Sequence, residues 1–335
     1  MVDCISVSLK SLEKKRKELR DSGKLNHHYK IKKEGNVAFI PLIKNSGISR
    51  TINKKLRKIE SEEDYKEKLE KILSKKELES APHSFDIIGE ICLLRLDESL
   101  KSKEKEIAQI FLSIHGIKSV YKREGNYEGE LRQQRVKWLA GRKSKETVHK
   151  ESGALISLDI EKVYFSVRSA TERMRIASLI KKNEDVLVMF SGASPYECVI
   201  AKNSPANYIL GIEKNKIANA YAKKNIALNK IEDKVVLYKG DVRKVVPSLN
   251  KKFDRIIMPL PHTGEDFLDI AAKASKKGTF IHLYQFDEWN SLKKMKEKYN
   301  SIIKKHIKDF EIKKIVKCGQ FSPQIFRICI DIDVE

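Results

Sequence analysis

The stretch from Val186 to Glu213 constrains this chain more than any other. An apolar run, Val186-Leu187-Val188-Met189-Phe190, breaks at the small-residue turn Ser191-Gly192-Ala193-Ser194-Pro195. A segment of helical character comes next, and a second apolar run, Tyr208-Ile209-Leu210-Gly211-Ile212, ends on Glu213. Strand, tight turn, helix and a second strand tipped by an acid form a unit that holds an adenosine. The backbone approaches the ligand at the turn, and the carboxylate accepts both ribose hydroxyls. A dinucleotide fingerprint has three glycines, whereas this turn has one. The missing pyrophosphate cradle points to a ligand with one nucleoside and no phosphates, which S-adenosylmethionine fits. An ordinary turn between apolar runs also has a single glycine, so the reading depends on the rest of the chain.

Beyond Glu213 the chain alternates strand and helix in the rhythm of a doubly wound sheet. Val235 to Tyr238 leads to Gly240-Asp241, Phe253 to Ile257 leads to Met258-Pro259-Leu260-Pro261, and Thr279 to Tyr284 comes after a helix from Glu265. A long helix from Trp289 to His306 precedes runs at Phe310 to Val316 and Gln324 to Ile332. The last two read as a hairpin, which puts one antiparallel strand in a parallel sheet. Ligands of such sheets bind at the carboxyl ends of the strands near the switch point. Candidate cofactor contacts are therefore Phe190, Ser191, Gly192, Glu213, Lys214, Asp241, Val242, Met258 and Pro259.

Upstream, residues 1–58 read as a small α/β domain with strands at Ile5 to Leu9 and Val37 to Leu42 around a helix from Leu12 to Arg20. The lysines of that helix make either a solvated face or a phosphate-tracking patch. Residues 59–79, nearly all Glu, Lys, Ser and Leu, read as a helical or mobile linker. Residues 80–150 read as an α+β domain: two strands joined at Gly89, a helix from Ser102 to Ile114 and a strand at Ser119 to Tyr121. Its last part interleaves the cations Arg135, Lys137, Arg142, Lys145 and Lys150 with Tyr127, Trp138 and His149. Aromatics among cations suit RNA, whose splayed bases stack while phosphates meet charge; a solvated β-hairpin is the alternative. Residues 151–335 hold the doubly wound domain, opening with a hairpin-like pair, Ile156 to Ile160 and Val163 to Phe165. Ser169-Ala170-Thr171-Glu172 then reads as a helix start with an acid in its first turn, where a carboxylate can serve the helix dipole alone.

The excess of 68 Lys and Arg over 46 Asp and Glu gives a formal charge of +22, a field that favours a polyanion such as nucleic acid. Five scattered cysteines without a CxxC pair argue against a zinc site and a disulfide framework. No apolar run approaches membrane-spanning length and the N-terminus lacks a signal-peptide core, so a cytoplasmic protein without membrane partners is expected.

Read together, these residues resemble the archaeal and eukaryotic tRNA guanosine-37 N1-methyltransferases. The likeness runs through Gly129-Glu130-Leu131-Arg132, Leu139-Ala140-Gly141, Thr147-Val148-His149-Lys150-Glu151, Val163-Tyr164-Phe165-Ser166 and Thr171-Glu172-Arg173-Met174-Arg175-Ile176. It implies a Rossmann-like class I methyltransferase domain, with a mostly parallel seven-stranded sheet and one antiparallel strand, behind two small α+β domains. It also implies a monomer that docks on the anticodon loop and a distal region of tRNA. In that family the arginine matching Arg132 contacts guanine O6 and the glutamate matching Glu172 removes the N1 proton. Phe165 and Arg173 join the cofactor contacts on the same ground. Many relatives carry Asn where this chain has Met258, and the archaeal subgroup without that Asn also methylates carbon 7 of the tricyclic wyosine precursor, 4-demethylwyosine. A flexible thioether beside the base leaves room for the wider ring. Two rivals remain: an aminocarboxypropyltransferase of wyosine synthesis, and a non-catalytic RNA-binding factor on a degenerate methyltransferase fold.

Overall fold

The structure, a computed structural model, describes residues 1–57, 65–129 and 133–335. The chain forms two compact units, residues 1–73 and 74–335. In the first, β1 (Val2–Ser8), α1 (Leu12–Asp21), β2 (Lys32–Glu34), β3 (Val37–Pro41), β4 (Ile52–Lys54) and α2 (Tyr65–Ile72) succeed one another. The strands make an antiparallel sheet in the order β2-β3-β1-β4. Leu12 and Leu19, seven residues apart and so on one helix face, bury against Leu25, Ala38, Ile40 and Leu42. Edge strands β2 and β4 are polar and held by backbone pairing, so no apolar alternation announces them.

The second unit opens with α3 (Lys75–Glu79), whose N-terminus carries a capping box between Ser74 and Glu77. Next come β5 (Asp86–Ile88), β6 (Ile91–Leu94), α4 (Glu104–Leu112), β7 (Ser119–Glu128) and β8 (Gln133–Gly141), a sheet in that strand order with β6 and β7 parallel across α4. The expected helix from Ser102 is preceded by a 3-10 turn, Glu98–Lys103. The basic stretch begins on a hairpin, since β7 and β8 pair antiparallel.

β9 (Glu146–Glu151) and β10 (Ala154–Asp159) form a second hairpin. The expected pairing of Ile156 to Ile160 with Val163 to Phe165 is thereby corrected, since the partner lies upstream. Ser152 and Gly153 both have positive φ, 47° and 79°, the two-residue turn whose twist matches antiparallel strands.

The remaining elements are α5 (Ala170–Leu179), β11 (Asp185–Met189), α6 (Pro195–Asn203), β12 (Tyr208–Glu213), α7 (Lys216–Asn229), β13 (Val235–Lys239), α8 (Val242–Ser248), β14 (Phe253–Met258), α9 (Leu268–Ala274), β15 (Ser275–Glu288), α10 (Leu292–Ile303), β16 (Phe310–Gln320) and β17 (Ile325–Val334). Their seven strands run β13-β12-β11-β14-β15-β17-β16, with β17 antiparallel to both neighbours and the rest parallel. The order reverses between β11 and β14, so the ligand-binding crevice of such a sheet opens at the ends of those two strands. Side chains alternate between two cores: Leu187, Leu210 and Ile256 face one helical layer, and Val186, Ile209 and Ile257 face the other.

Two buried asparagines on α7 join the β9-β10 hairpin to this domain. Asn225 accepts from Ser157 N at 2.7 Å and donates to Ser157 O at 2.9 Å. Asn229 does the same for Leu155, at 2.9 and 2.6 Å. Each amide mimics a strand, satisfying the open edge of β10. Among the described residues no helix is long and apolar enough to cross a membrane.

Candidate active site

The turn after β11 coils tightly. Phe190, Gly192 and Ser194 all have positive φ, 64°, 57° and 60°, a conformation that non-glycine residues hold only when their surroundings enforce it. Glu213, at the end of β12, supplies part of that enforcement: its Oε2 accepts from Gly192 N and its Oε1 from Asn215 N, both at 2.6 Å. Burial raises the Glu213 pKa, opposed by those two amides. Asn215 then caps α7, accepting from Ile217 N at 2.9 Å. Asp241 caps α8 through Arg243 N at 2.9 Å.

Around these ends lies a cavity of about 450 Å³ whose wall includes Phe190, Gly192, Ile212, Glu213, Lys214, Asp241, Val242 and Pro259. Its volume is that of an ordinary cofactor site. Apolar faces for a base and a rim carboxylate with lone pairs left for hydroxyls fit a nucleoside bearing no phosphate. Phe267 closes one side, edge-on to Phe190 at 4.8 Å and beneath the Arg243 guanidinium at 3.8 Å.

A smaller cavity of about 70 Å³ adjoins it, sharing Tyr164, Phe190, Gly192 and Pro259 and adding Phe165, Ser191, Arg173, Tyr196 and Tyr284. Beyond it, a third of about 440 Å³ is lined by Arg95, Arg123, Arg168 and Arg327 with Phe85, Phe286 and Phe321. Tyr164 borders all three.

Arg173 is buried and engaged: Nε and Nη2 donate to the two oxygens of Glu151, each at 2.6 Å, and Nη2 also reaches Ser166 O at 3.0 Å. Glu172 is 4 % exposed. Arg175 grips it with Nε and Nη2 at 2.7 and 2.8 Å, and the Tyr284 hydroxyl donates to Oε1 at 2.6 Å. Arg175 also forks onto Asp331 at 2.7 and 3.1 Å. Asp331 contacts His282 Nδ1 at 2.6 Å, and Nε2 of that ring meets Arg255 at 2.7 Å. Arg255 in turn pairs with Glu184 at 2.7 and 3.0 Å. A continuous line of buried charge thus runs from α5 across β17, β15 and β14. Burial lowers the His282 pKa; it would raise that of Asp331, but the hydrogen bonds from His282 and Arg175 together outweigh it and hold this carboxyl well below the usual range. His282, Cys329 and Asp331 have the spacing of metal donors, yet two guanidinium groups already flank them, which opposes a cation.

Two expected contacts need correction. Met258 is completely buried in the core with Ile256, Leu268 and Leu283. Strand alternation turns its thioether to the helical layer, and Pro259 and Leu260 meet the cavity instead. His149 is a structural acceptor: Nδ1 takes the Gly89 N–H at 3.2 Å, and the ring lies 5.3 Å from that of Phe165. Burial lowers its pKa, so a neutral imidazole faces inward where an aromatic ring is expected to face RNA. Gly89 permits this contact, because a Cβ there would lie 2.5 Å from Val148 O.

Of the other basic residues, Lys137 pairs with Glu104 at 2.7 Å, Arg142 with Glu90 at 3.2 Å and Lys145 with Glu161 at 2.5 Å. Arg135 and Lys150 are exposed. Arg132 lies outside the described residues. The sequence assigns no role to Tyr284, Arg175 or Arg327, although Arg175 falls within the Thr171 to Ile176 run of the resemblance.

A doubly wound sheet with one reversed strand and a cavity at its switch point lined by Glu213 defines a Rossmann-like class I methyltransferase fold. The TRM5/TYW2 methyltransferase domain matches residues 147–314, the TYW2 N-terminal domain residues 65–144 and the tRNA methyltransferase 5 N-terminal domain residues 4–49. The chain belongs to the TRM5/TYW2 methyltransferase family. It is 33% identical over 344 residues to tRNA (guanine(37)-N(1))-methyltransferase Trm5b of Pyrococcus abyssi, with 100% of both chains covered. It is 30% identical to tRNA (guanine(37)-N(1))/4-demethylwyosine(37)-methyltransferase Taw22 of Nanoarchaeum equitans, over 74% of this chain and 99% of the other. Similar solved structures include aTrm5 in complex with tRNALeu, at TM-score 0.72 and 28% identity, covering 99% and 100% of the chains. Another is Trm5 of Methanocaldococcus jannaschii in complex with adenosine, at 0.67 and 28%, covering 99% of each.

Proposed function

We propose that this enzyme transfers the methyl group of S-adenosylmethionine to N1 of guanosine 37 in tRNA. The observation that carries the reading is the pair of joined cavities, a larger one at the strand ends lined by Glu213 and a smaller one beside the Glu172–Tyr284 pair. Glu213 takes the ribose, and Asp241, Val242, Phe190, Ser191, Gly192, Lys214 and Pro259 complete the cofactor's surroundings with Phe165 and Arg173. When bound, the cofactor supplies an electrophilic methyl carbon. Guanine N1 becomes nucleophilic only as its proton leaves, which is the role assigned to Glu172. Charge then develops on O6, which Arg132 stabilises. The anticodon loop lies over Arg135, Lys137, Arg142, Lys145 and Lys150.

The same site also accepts 4-demethylwyosine for methylation at carbon 7. The roomy third cavity supports this part of the reading, and the Met258 thioether no longer does. The division into residues 1–58 for distal docking, 59–79 as linker, 80–150 for RNA and 151–335 for catalysis belongs to the same proposal, as does a monomer.

Glu172→Gln tests it. Affinity for tRNA and S-adenosylhomocysteine should be retained while single-turnover N1 transfer slows about 100-fold, the usual scale for losing a general base. An unchanged rate removes Glu172 from the mechanism.

A further inference from the structure

Glu172, the proposed base, does not reach the cavity in which its proton donor must sit. Its carboxylate is 4 % exposed, and the wall of the small cavity is built from Tyr284, Tyr196, Arg173 and Pro259 without it. Of the roughly four lone-pair directions of a carboxylate, two are filled by Arg175 and one by the Tyr284 hydroxyl, and the Cys318 thiol lies against the same group. Arg175 is anchored in turn by the Asp331 fork, so the carboxylate cannot swing towards the cavity without breaking a paired, buried network. Tyr284 is the group that touches both sides. Tyr284 lines the cavity, and its hydroxyl donates to Glu172 Oε1 across 2.6 Å. With that proton donated inward, the oxygen has two lone pairs; the neighbouring Tyr196 hydroxyl engages one, which leaves one to accept another proton.

We propose that Tyr284 is a catalytic residue, relaying the purine N1 proton to Glu172. The relay rests on the N1-methylation reading. As the N1–H bond breaks, its proton passes to Tyr284 Oη while the original hydroxyl proton passes to Glu172 Oε1. The freed N1 electron pair takes the methyl group, and the pair of the broken sulfur–carbon bond stays on sulfur. Carboxylate and sulfonium become carboxylic acid and thioether, so charge balances and tyrosine emerges unchanged. Burial holds the Tyr284 hydroxyl well above its ordinary pKa, so the two transfers are concerted and no free tyrosinate forms. Tyr284 lies on β15 between His282 and Phe286, and its backbone pairs with Cys329 of β17. The relay is therefore mounted on a central strand of the sheet rather than on a loop.

Tyr284→Phe, Glu172→Gln and the double variant, compared in single turnover on a tRNA transcript with guanosine at position 37, test the relay. Each single change should slow transfer about 100-fold, and the double should be no slower than either, because both belong to one proton path. Binding of tRNA and S-adenosylhomocysteine should stay within about twofold of the parent. A Tyr284→Phe rate close to the parent, with Glu172→Gln still slow, overturns the relay and leaves the methylation reading standing. If both variants keep the parent rate, relay and base fall together; if the two losses multiply, the residues act separately and the relay fails. A proton inventory on the unaltered enzyme needs no variant. Rates in mixed light and heavy water should bow as two moving protons require, and a straight line excludes the relay.

Discussion

Glu197 is fully buried beneath the cofactor turn, and neither the Ser191 nor the Ser194 hydroxyl meets its oxygens in hydrogen-bond geometry. Burial dominates and pushes its pKa up to about 8 from 4.5. The carboxyl is thus neutral in the fold where the unfolded chain ionises. Its contribution to stability should be greatest below about pH 4.5, fall by about 1.4 kcal/mol per pH unit as pH rises towards 8, and level off above. Glu197→Gln should remove that slope and stabilise the protein at pH 8 by a few kcal/mol, read from urea unfolding at several pH values. Parallel pH profiles for parent and variant would show that Glu197 finds a donor. Gly211 belongs to the same spot: a Cβ there would meet the Glu197 carboxyl and stand 2.6 Å from Ser191 Oγ. Glu213 and Asp241 were legible in the sequence because an acid after an apolar run marks a strand end. Met258 and His149 were misread because alternation gives two faces without saying which is inside.

At the level of elements, the Glu151–Arg173 pair ties the end of β9 to α5 and so fixes the helix that presents Glu172. Both side chains are buried. Removing one partner strands a charge, so Glu151→Gln should cost about 3–5 kcal/mol in urea unfolding. A loss under about 1 kcal/mol, the scale of an exposed pair, would mean that water reaches Arg173. The register between His149-Lys150-Glu151 and Glu172-Arg173 was visible as a resemblance in sequence, and its physical content is this ion pair. The β9-β10 hairpin was missed for a different reason. Its turn has Ser152 at positive φ rather than the usual Asn-Gly or Asp-Gly, and its cover comes from Asn225 and Asn229, polar residues that read as the exposed side of a helix. The sheet of β11 to β17 was the easiest part to read, since buried parallel strands are continuous apolar runs.

Over the whole molecule, composition favoured a polyanion, the strand ends a single nucleoside, and the family match covers the chain from its first module to its last sheet. The arrangement of the three cavities depends on pairings over a hundred residues apart, such as Tyr284 with Glu172, which no local pattern encodes. One chemical outcome is required above all: a methyl group on N1 of guanosine 37. The direct measurement is nucleoside mass analysis of a tRNA transcript incubated with the enzyme and S-adenosylmethionine. Stoichiometric 1-methylguanosine is expected at position 37. An unmodified guanosine there, or one carrying the heavier aminocarboxypropyl group, from an enzyme that binds S-adenosylhomocysteine would contradict it.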